Sequence, residues 1–252
     1  MSILWTMLVA GCQAQGQADP QISLAAEIVE SSQMTTPSAT IQGAAPTVTL
    51  AIPTATEIGR LPEIRLEDDF ESSESYLESF ERADASAFIF EGQMILDVVA
   101  PETRVISTCQ SLVAGNFILE SQTRVLNAPQ DTPFYYGLTF RVSGEESYNF
   151  VFGSVGGYCI FFASPNGILH LTNSTDFVTD CWALPPADAV NLETNQLRVV
   201  AVDDRMDFFI NDVLMAVVRD NRLSEGQVGY LVTSGAAGGV RVAFDNLRVL
   251  RP

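Results

Sequence analysis

The stretch "NQLRVVAVDDRMDFFINDVLMAVV", residues 195–218, decides the fold class. It consists of short runs of β-branched and aromatic residues, the types that fit a pleated, half-buried surface. The runs break at Asp203-Asp204 and Asn211-Asp212, residues that tolerate the backbone of tight turns. The segment therefore predicts three strands, over 195–203, 206–211 and 213–219, joined by two hairpins.

The same texture extends outward to about Glu63 on one side and to the C-terminus on the other. Further strands are predicted over 64–70, 86–91, 93–99, 103–108, 116–123, 134–142, 147–154, 157–163, 167–173, 226–232 and 239–250. Gly144-Glu145, Gly156-Gly157 and Asn166-Gly167 supply more turn chemistry. Spacings of about 8–14 residues without helical periodicity indicate an antiparallel sandwich or barrel. A stretch over 63–252 with about fourteen strands suits an all-β, two-sheet antiparallel jelly-roll sandwich as one domain. The Gly-rich "SGAAGG" (234–239) lacks the Lys-Ser/Thr ending of a phosphate loop and reads as a hairpin loop.

The rest of the chain has a different composition. Residues 13–62 are rich in Thr, Pro, Ala, Gln and Ser, and 31–56 carry no charge. Such a segment buries too little apolar area to offset its ordering entropy and reads as a flexible tether, with a short helix expected over 21–34. Ahead of it, "ILWTMLVAGC" (3–12) places an apolar run before Val9-Ala10-Gly11-Cys12 and resembles the lipobox of bacterial lipoproteins. That resemblance implies a signal peptide over 1–12, a lipid on Cys12, and an extracytoplasmic, membrane-anchored product. Of the remaining cysteines, Cys159 and Cys181 flank a strand–turn–strand unit and are expected to pair, which leaves Cys109. The single histidine and the absence of C-x-x-C exclude an ordinary zinc site.

The chain holds 31 acidic against 13 basic residues, for a net charge of −18, and every basic residue is Arg. Phosphate backbones would be repelled, so nucleic acid is excluded as a partner.

The order and spacing of "LEDDF" (66–70), "FYYGLTFRV" (134–142), "SYNFVF" (147–152), the opening stretch, "GQVGYLV" (226–232) and "VRVAFDNLRVL" (240–250) resemble the concanavalin A-like, or laminin-G-like, lectin and glucanase superfamily. The variant carried by bacterial surface lipoproteins is the most similar. The resemblance implies a monomeric sandwich that binds a glycan or another surface polymer without catalysis. A glycoside hydrolase of the same fold and a structural or adhesion module remain the alternatives.

Three sets of residues are candidates for chemistry. Glu67, Asp69 and Glu71 alternate in "EDDFE"; on a strand they would share a face, as the carboxylates of a retaining glycosidase must. The resemblance instead makes this segment a framing strand paired with "FDNLRV", with Phe70 in the core. Asp68, Asp69 and Asp245 are candidates for a Ca²⁺ site, since hard carboxylates suit that ion; no other cofactor is expected. Finally, 12 of the 23 aromatic residues lie between Phe134 and Trp182. The period of two assigns Phe134, Tyr136, Leu138, Phe140 and Val142 to the core and Tyr135, Thr139 and Arg141 to the solvent side. Tyr135, Arg141, Asn149, His170 and Trp182 are the candidate glycan contacts, rings for C–H patches and planar donors for hydroxyls.

Overall fold

A computed structural model describes residues 63–72, 74–172, 182–191 and 193–252. The expected signal peptide, Cys12, tether and helix over 21–34 lie outside the described residues, as does Cys181. Among the described residues there is no helix; fifteen strands form two antiparallel sheets packed as a sandwich.

The larger sheet is organised around β15 (Val240–Leu250), paired along its whole length with β6 (Phe117–Asn127). Its other edge is shared. The first half pairs with β4 (Gln93–Val98) and the second with β1 (Ile64–Asp68), the framing pair expected from the sequence. A register shift between Asp245 and Arg248, with Asn246 at φ +52°, marks the division. Beyond β4 lie β3 (Ala85–Phe90) and the two-residue β2 (Phe80–Glu81). Beyond β6 lie β11 (Asn195–Val202), β12 (Arg205–Ile210) and β13 (Val213–Arg219), the three strands of the opening stretch. Asn211 and Asp212 both take positive φ, +48° and +65°, as a two-residue hairpin requires. The Asn211 side chain fixes that turn, accepting from Gln196 N–H and donating to the Ala189 carbonyl and Asn195 Oδ1.

The second sheet runs β10 (Gly167–His170), β9 (Tyr158–Ser164), β8 (Glu146–Gly153), β7 (Tyr135–Ser143), β14 (Gln227–Thr233) and β5 (Arg104–Thr108). Its inner side chains meet those of the larger sheet in one aromatic core. Tyr230 stacks on Phe244 with centroids 4.0 Å apart, and Phe150 meets Phe208 edge-on at 5.2 Å. The Ser121 hydroxyl donates to the Asp245 carbonyl at 2.7 Å and accepts from Tyr230 Oη at 2.8 Å, so the buried phenol is satisfied. Phe134, Tyr136, Leu138 and Phe140 are buried as the period predicts.

The opening acidic segment departs from expectation. β1 ends at Asp68, not at residue 70. Asp68 is buried and turns the chain by accepting hydrogen bonds from Phe70 N–H, Ser75 Oγ and Tyr76 N–H. Phe70 sits at φ +55° and is buried in the core. The strand alternation that would align Glu67, Asp69 and Glu71 is therefore broken. Glu67 pairs with Arg248 at 3.4 Å, Asp69 caps the Glu71 N–H, and Glu71 is exposed beyond the turn.

Candidate functional site

The outer side of the six-stranded sheet is built in rows by its register. One row reads Arg104, Thr233, Tyr135, Gly153; the next reads Ile106, Leu231, Gly137, Val151, Cys159. A third reads Thr108, Gly229, Thr139, Asn149, Phe161, His170. No Asp or Glu stands in these rows. Small residues dominate the middle. A Cβ on Gly229 would stand 2.0 Å from the Ser107 carbonyl oxygen, and one on Gly137 2.1 Å from that of Phe150. Only glycine permits this close approach of strands.

Aromatic and apolar side chains pack over this floor. Val151, Cys159, Phe161, Ala163 and Leu231 form a second apolar cluster, separate from the core, against which Ile106, Tyr135 and Trp182 pack. The Trp182 indole lies flush on Gly153, where an added Cβ would come within 2.8 Å of the ring. Tyr135 and Trp182 are 5.8 Å apart between centroids, and Tyr135 meets Phe161 edge-on at 6.3 Å. Together with Pro133, Val155 and Leu184, Tyr135 and Trp182 line a cleft of about 440 Å³ at the end of the first row. It is a predominantly apolar concavity with two partly exposed rings, the form that takes small organic ligands.

The sequence reading missed the cation of this face. Arg104 extends from the sheet edge across the floor, its Nη2 3.4 Å from both Ser147 Oγ and Asn149 Oδ1, with its guanidinium 5.9 Å from the Phe161 centroid. Burial pulls its pKa below the ordinary guanidinium value, and the neighbouring Tyr135 phenol opposes that shift.

The five expected contacts separate into distinct groups. Tyr135 and Trp182 come together in the cleft. His170 is exposed on the edge strand, opposite Phe161 in register. Asn149 is not a surface contact; it is fully buried and supports Arg104 from beneath. Arg141 is not on the solvent side either. A bulge between Phe140 and Ser143, with Arg141 at φ +48°, breaks the alternation and drives the guanidinium inward. There it donates to the carbonyls of Gly115, Leu223 and Asp203 at 3.0, 2.9 and 2.8 Å. Its role is to tie three connections together.

The Asp68 oxygens already serve their own chain, and Asp245 caps the Asn246 N–H at 2.7 Å. Among the described residues no three His, Cys, Asp or Glu side chains converge as a metal site requires. Cys159 is disulfide-bonded, whereas Cys109 is free and buried.

The sequence matches no protein-family model and no curated protein. Solved structures do match. A Bacillus subtilis protein of unknown function with a galectin-like fold aligns over 75% of this chain and 98% of its own, at 10% identity and TM-score 0.54. The fold is a concanavalin A-like jelly roll. The catalytic domain of an endo-1,3-β-glucanase (laminarinase) from Thermotoga petrophila covers 75% of this chain and 98% of its own at 9% identity and TM-score 0.53. A GlcNAcα1-4Gal-releasing endo-β-galactosidase from Clostridium perfringens gives 79% and 65% at 10% identity and TM-score 0.54.

Proposed function

We propose that the chain is a non-enzymatic surface lipoprotein whose sandwich binds a glycan on the outer side of its six-stranded sheet. The observation that carries this reading is the pairing of the Tyr135–Trp182 cleft with Arg104 on a face whose described strand rows hold no carboxylate. Ring faces accept the C–H patches of a sugar, and a guanidinium donates to its oxygens. Hydrolysis of the kind named for the two enzymes of similar fold requires two carboxyl groups about 5–10 Å apart across the substrate. The strand positions facing this side offer none, which favours binding over cleavage.

A broad glycan array tests the reading. The wild-type protein should be retained by at least one class of saccharide, and Tyr135→Ala or Trp182→Ala should weaken that binding about tenfold or more. Silence of the wild-type protein across the array would overturn it, and release of reducing ends from a bound polymer would favour the hydrolase. Binding is expected to survive EDTA, because Asp68 is engaged within its own chain. The anchor is tested separately: Cys12→Ala should move the protein from the membrane to the soluble fraction, and a variant that stays membrane-bound would refute lipidation at Cys12.

A further inference from the structure

Arg104 is anomalous in so acidic a chain. Eight arginines are ion-paired with Asp or Glu. Arg141 is held by three carbonyls, Arg124 donates to Gln93 Oε1, and Arg124 and Arg65 both stand on the larger sheet, whose strands also carry the carboxylates of Glu67, Glu120 and Asp245. Among the described residues, Arg104 is the one arginine on the face whose strand rows hold no Asp or Glu, and its hydrogen-bond partners there are the neutral Ser147 and Asn149. A second unmet group sits beside it. Thr233 Oγ1, between Arg104 and Tyr135 in the same row, is buried without a hydrogen-bond partner. A cation without an anion and a hydroxyl without an acceptor occupy adjacent positions.

We propose that Arg104 is the receptor for an acidic group on the glycan, a uronate carboxylate or a sulfate ester, and that the ligand is a short acidic oligosaccharide. This rests on the glycan-binding reading above and specifies its ligand. An anion with two or three oxygens suits the planar guanidinium fork and leaves one oxygen for the Thr233 hydroxyl as Arg104 closes on it. The neighbouring sugar ring then reaches the Tyr135–Trp182 cleft. The protein's net charge of −18 repels a long polyanion, so a ligand with one or a few charges is selected.

Calorimetric titration of the full chain with a galacturonate trisaccharide, a sulfated galactose trisaccharide and neutral galactotriose tests this. The wild-type protein should bind at least one acidic probe about tenfold or more tightly than the neutral one. Whichever acidic probe shows the preference identifies carboxylate or sulfate as the recognised group. Arg104→Gln should abolish the preference, bringing the acidic probe down to the affinity of the neutral one, Arg104→Lys should retain part of it, and Thr233→Val should weaken it severalfold. Equal wild-type affinity for neutral and acidic probes, or a preference that survives in Arg104→Gln, overturns the proposal and leaves the glycan reading standing. If none of the three probes binds and the glycan array is also silent, both fall. Should Arg104→Gln fail to fold, judged by its thermal melt, Arg104→Lys at rising NaCl decides. A preference that salt does not weaken would count against an ionic contact.

Discussion

The two outer faces of the sandwich solve the same problem in opposite ways. On the nine-stranded sheet, one row crosses Glu67, Arg248, Glu120, Arg198 and Phe209 on five adjacent strands. Charges alternate along it. Arg248 bridges Glu67 and Glu120, and Arg198 lies over the Phe209 ring and pairs with Asp212 at 2.7 Å. On the six-stranded sheet the strands carry only Arg104, Arg141 and Glu146 as charged residues, yet they hold all of the strand tyrosines. One face is neutralised from within by its own cross-strand partners. The other is built of small and aromatic residues with one unanswered cation. The charges of the larger face are paired with one another, although Arg198 Nε and Arg248 Nε make no hydrogen bond, and the unpaired cation of the smaller sheet is what supports the proposed site there.

The comparison is tested most severely by the two kinds of arginine. Arg141→Met keeps much of the side-chain volume but leaves the carbonyls of Gly115, Leu223 and Asp203 without their donors. At roughly 1–3 kcal/mol for each buried acceptor, the expected loss is about 3 kcal/mol or more, read as a lower urea midpoint. A loss under about 1 kcal/mol would show that water replaces the guanidinium and that the bulge is not held by it.

The tyrosines give the next effect. Burial pushes the Tyr136 phenol up to about 12, while its hydrogen bond with Thr123 opposes the shift. Burial also raises Tyr230 and Tyr158. A phenol whose folded pKa is raised contributes stability that is fully present below its unfolded value of about 10. That contribution is lost as pH rises towards 12, to the extent of about 2–3 kcal/mol for Tyr136. Denaturation profiles between pH 9 and 12 should therefore steepen above pH 10 and flatten in Tyr136→Phe. Because the larger sheet has no tyrosine, an alkaline transition that is the same in Tyr136→Phe, Tyr158→Phe and Tyr230→Phe would place the weakness elsewhere.

Much of this architecture is legible in local sequence. The hairpins at Asp203-Asp204 and Asn211-Asp212 and the inward set on β7 follow from turn chemistry and a period of two, and the β1–β15 frame from the resemblance of "LEDDF" and "FDNLRV" to the framing strands of concanavalin A-like domains. Parity fails where a strand carries an extra residue. Arg141 has the outward parity of Tyr135 and Thr139, and only the bulge reverses it. Phe70 reaches the core as expected, but the strand stops at Asp68 and Glu71 leaves the pattern, because the cap formed by Asp68 depends on Ser75 and Tyr76 rather than on a strand pattern. Arg104 was illegible for a different reason. Nothing in "ETRVIST" distinguishes it; its character comes from Ser147 and Asn149, 43 and 45 residues away, and from the carboxylates that neighbouring strands lack.

Substitutions on the two floors should also differ. Gly229→Ala forces a Cβ onto the Ser107 carbonyl and should cost about 1–3 kcal/mol as an overpacked site. Gln122→Ala, outward on the larger sheet, should stay within about 0.5 kcal/mol. Equal losses would mean that the smaller sheet relaxes its curvature easily, and its glycines would then not be what shapes the floor.

The smallest effect concerns the charged row itself. Arg248 is partly exposed, and an exposed ion pair is worth about 0.2–1 kcal/mol. Glu120 is mostly buried, however, and Arg248→Ala leaves it facing Glu67 across the gap. The loss should therefore lie at the upper end of that range, near 1 kcal/mol. Raising NaCl from 0.05 to 1 M shortens the screening length to about 3 Å and should reduce the difference between wild type and variant. The companion variant Glu120→Gln/Arg248→Ala removes the stranded carboxylate and should recover part of the loss. If it recovers nothing and salt changes nothing, the row is held by backbone pairing alone, and its alternating charges serve only to keep this face soluble and free of ligands.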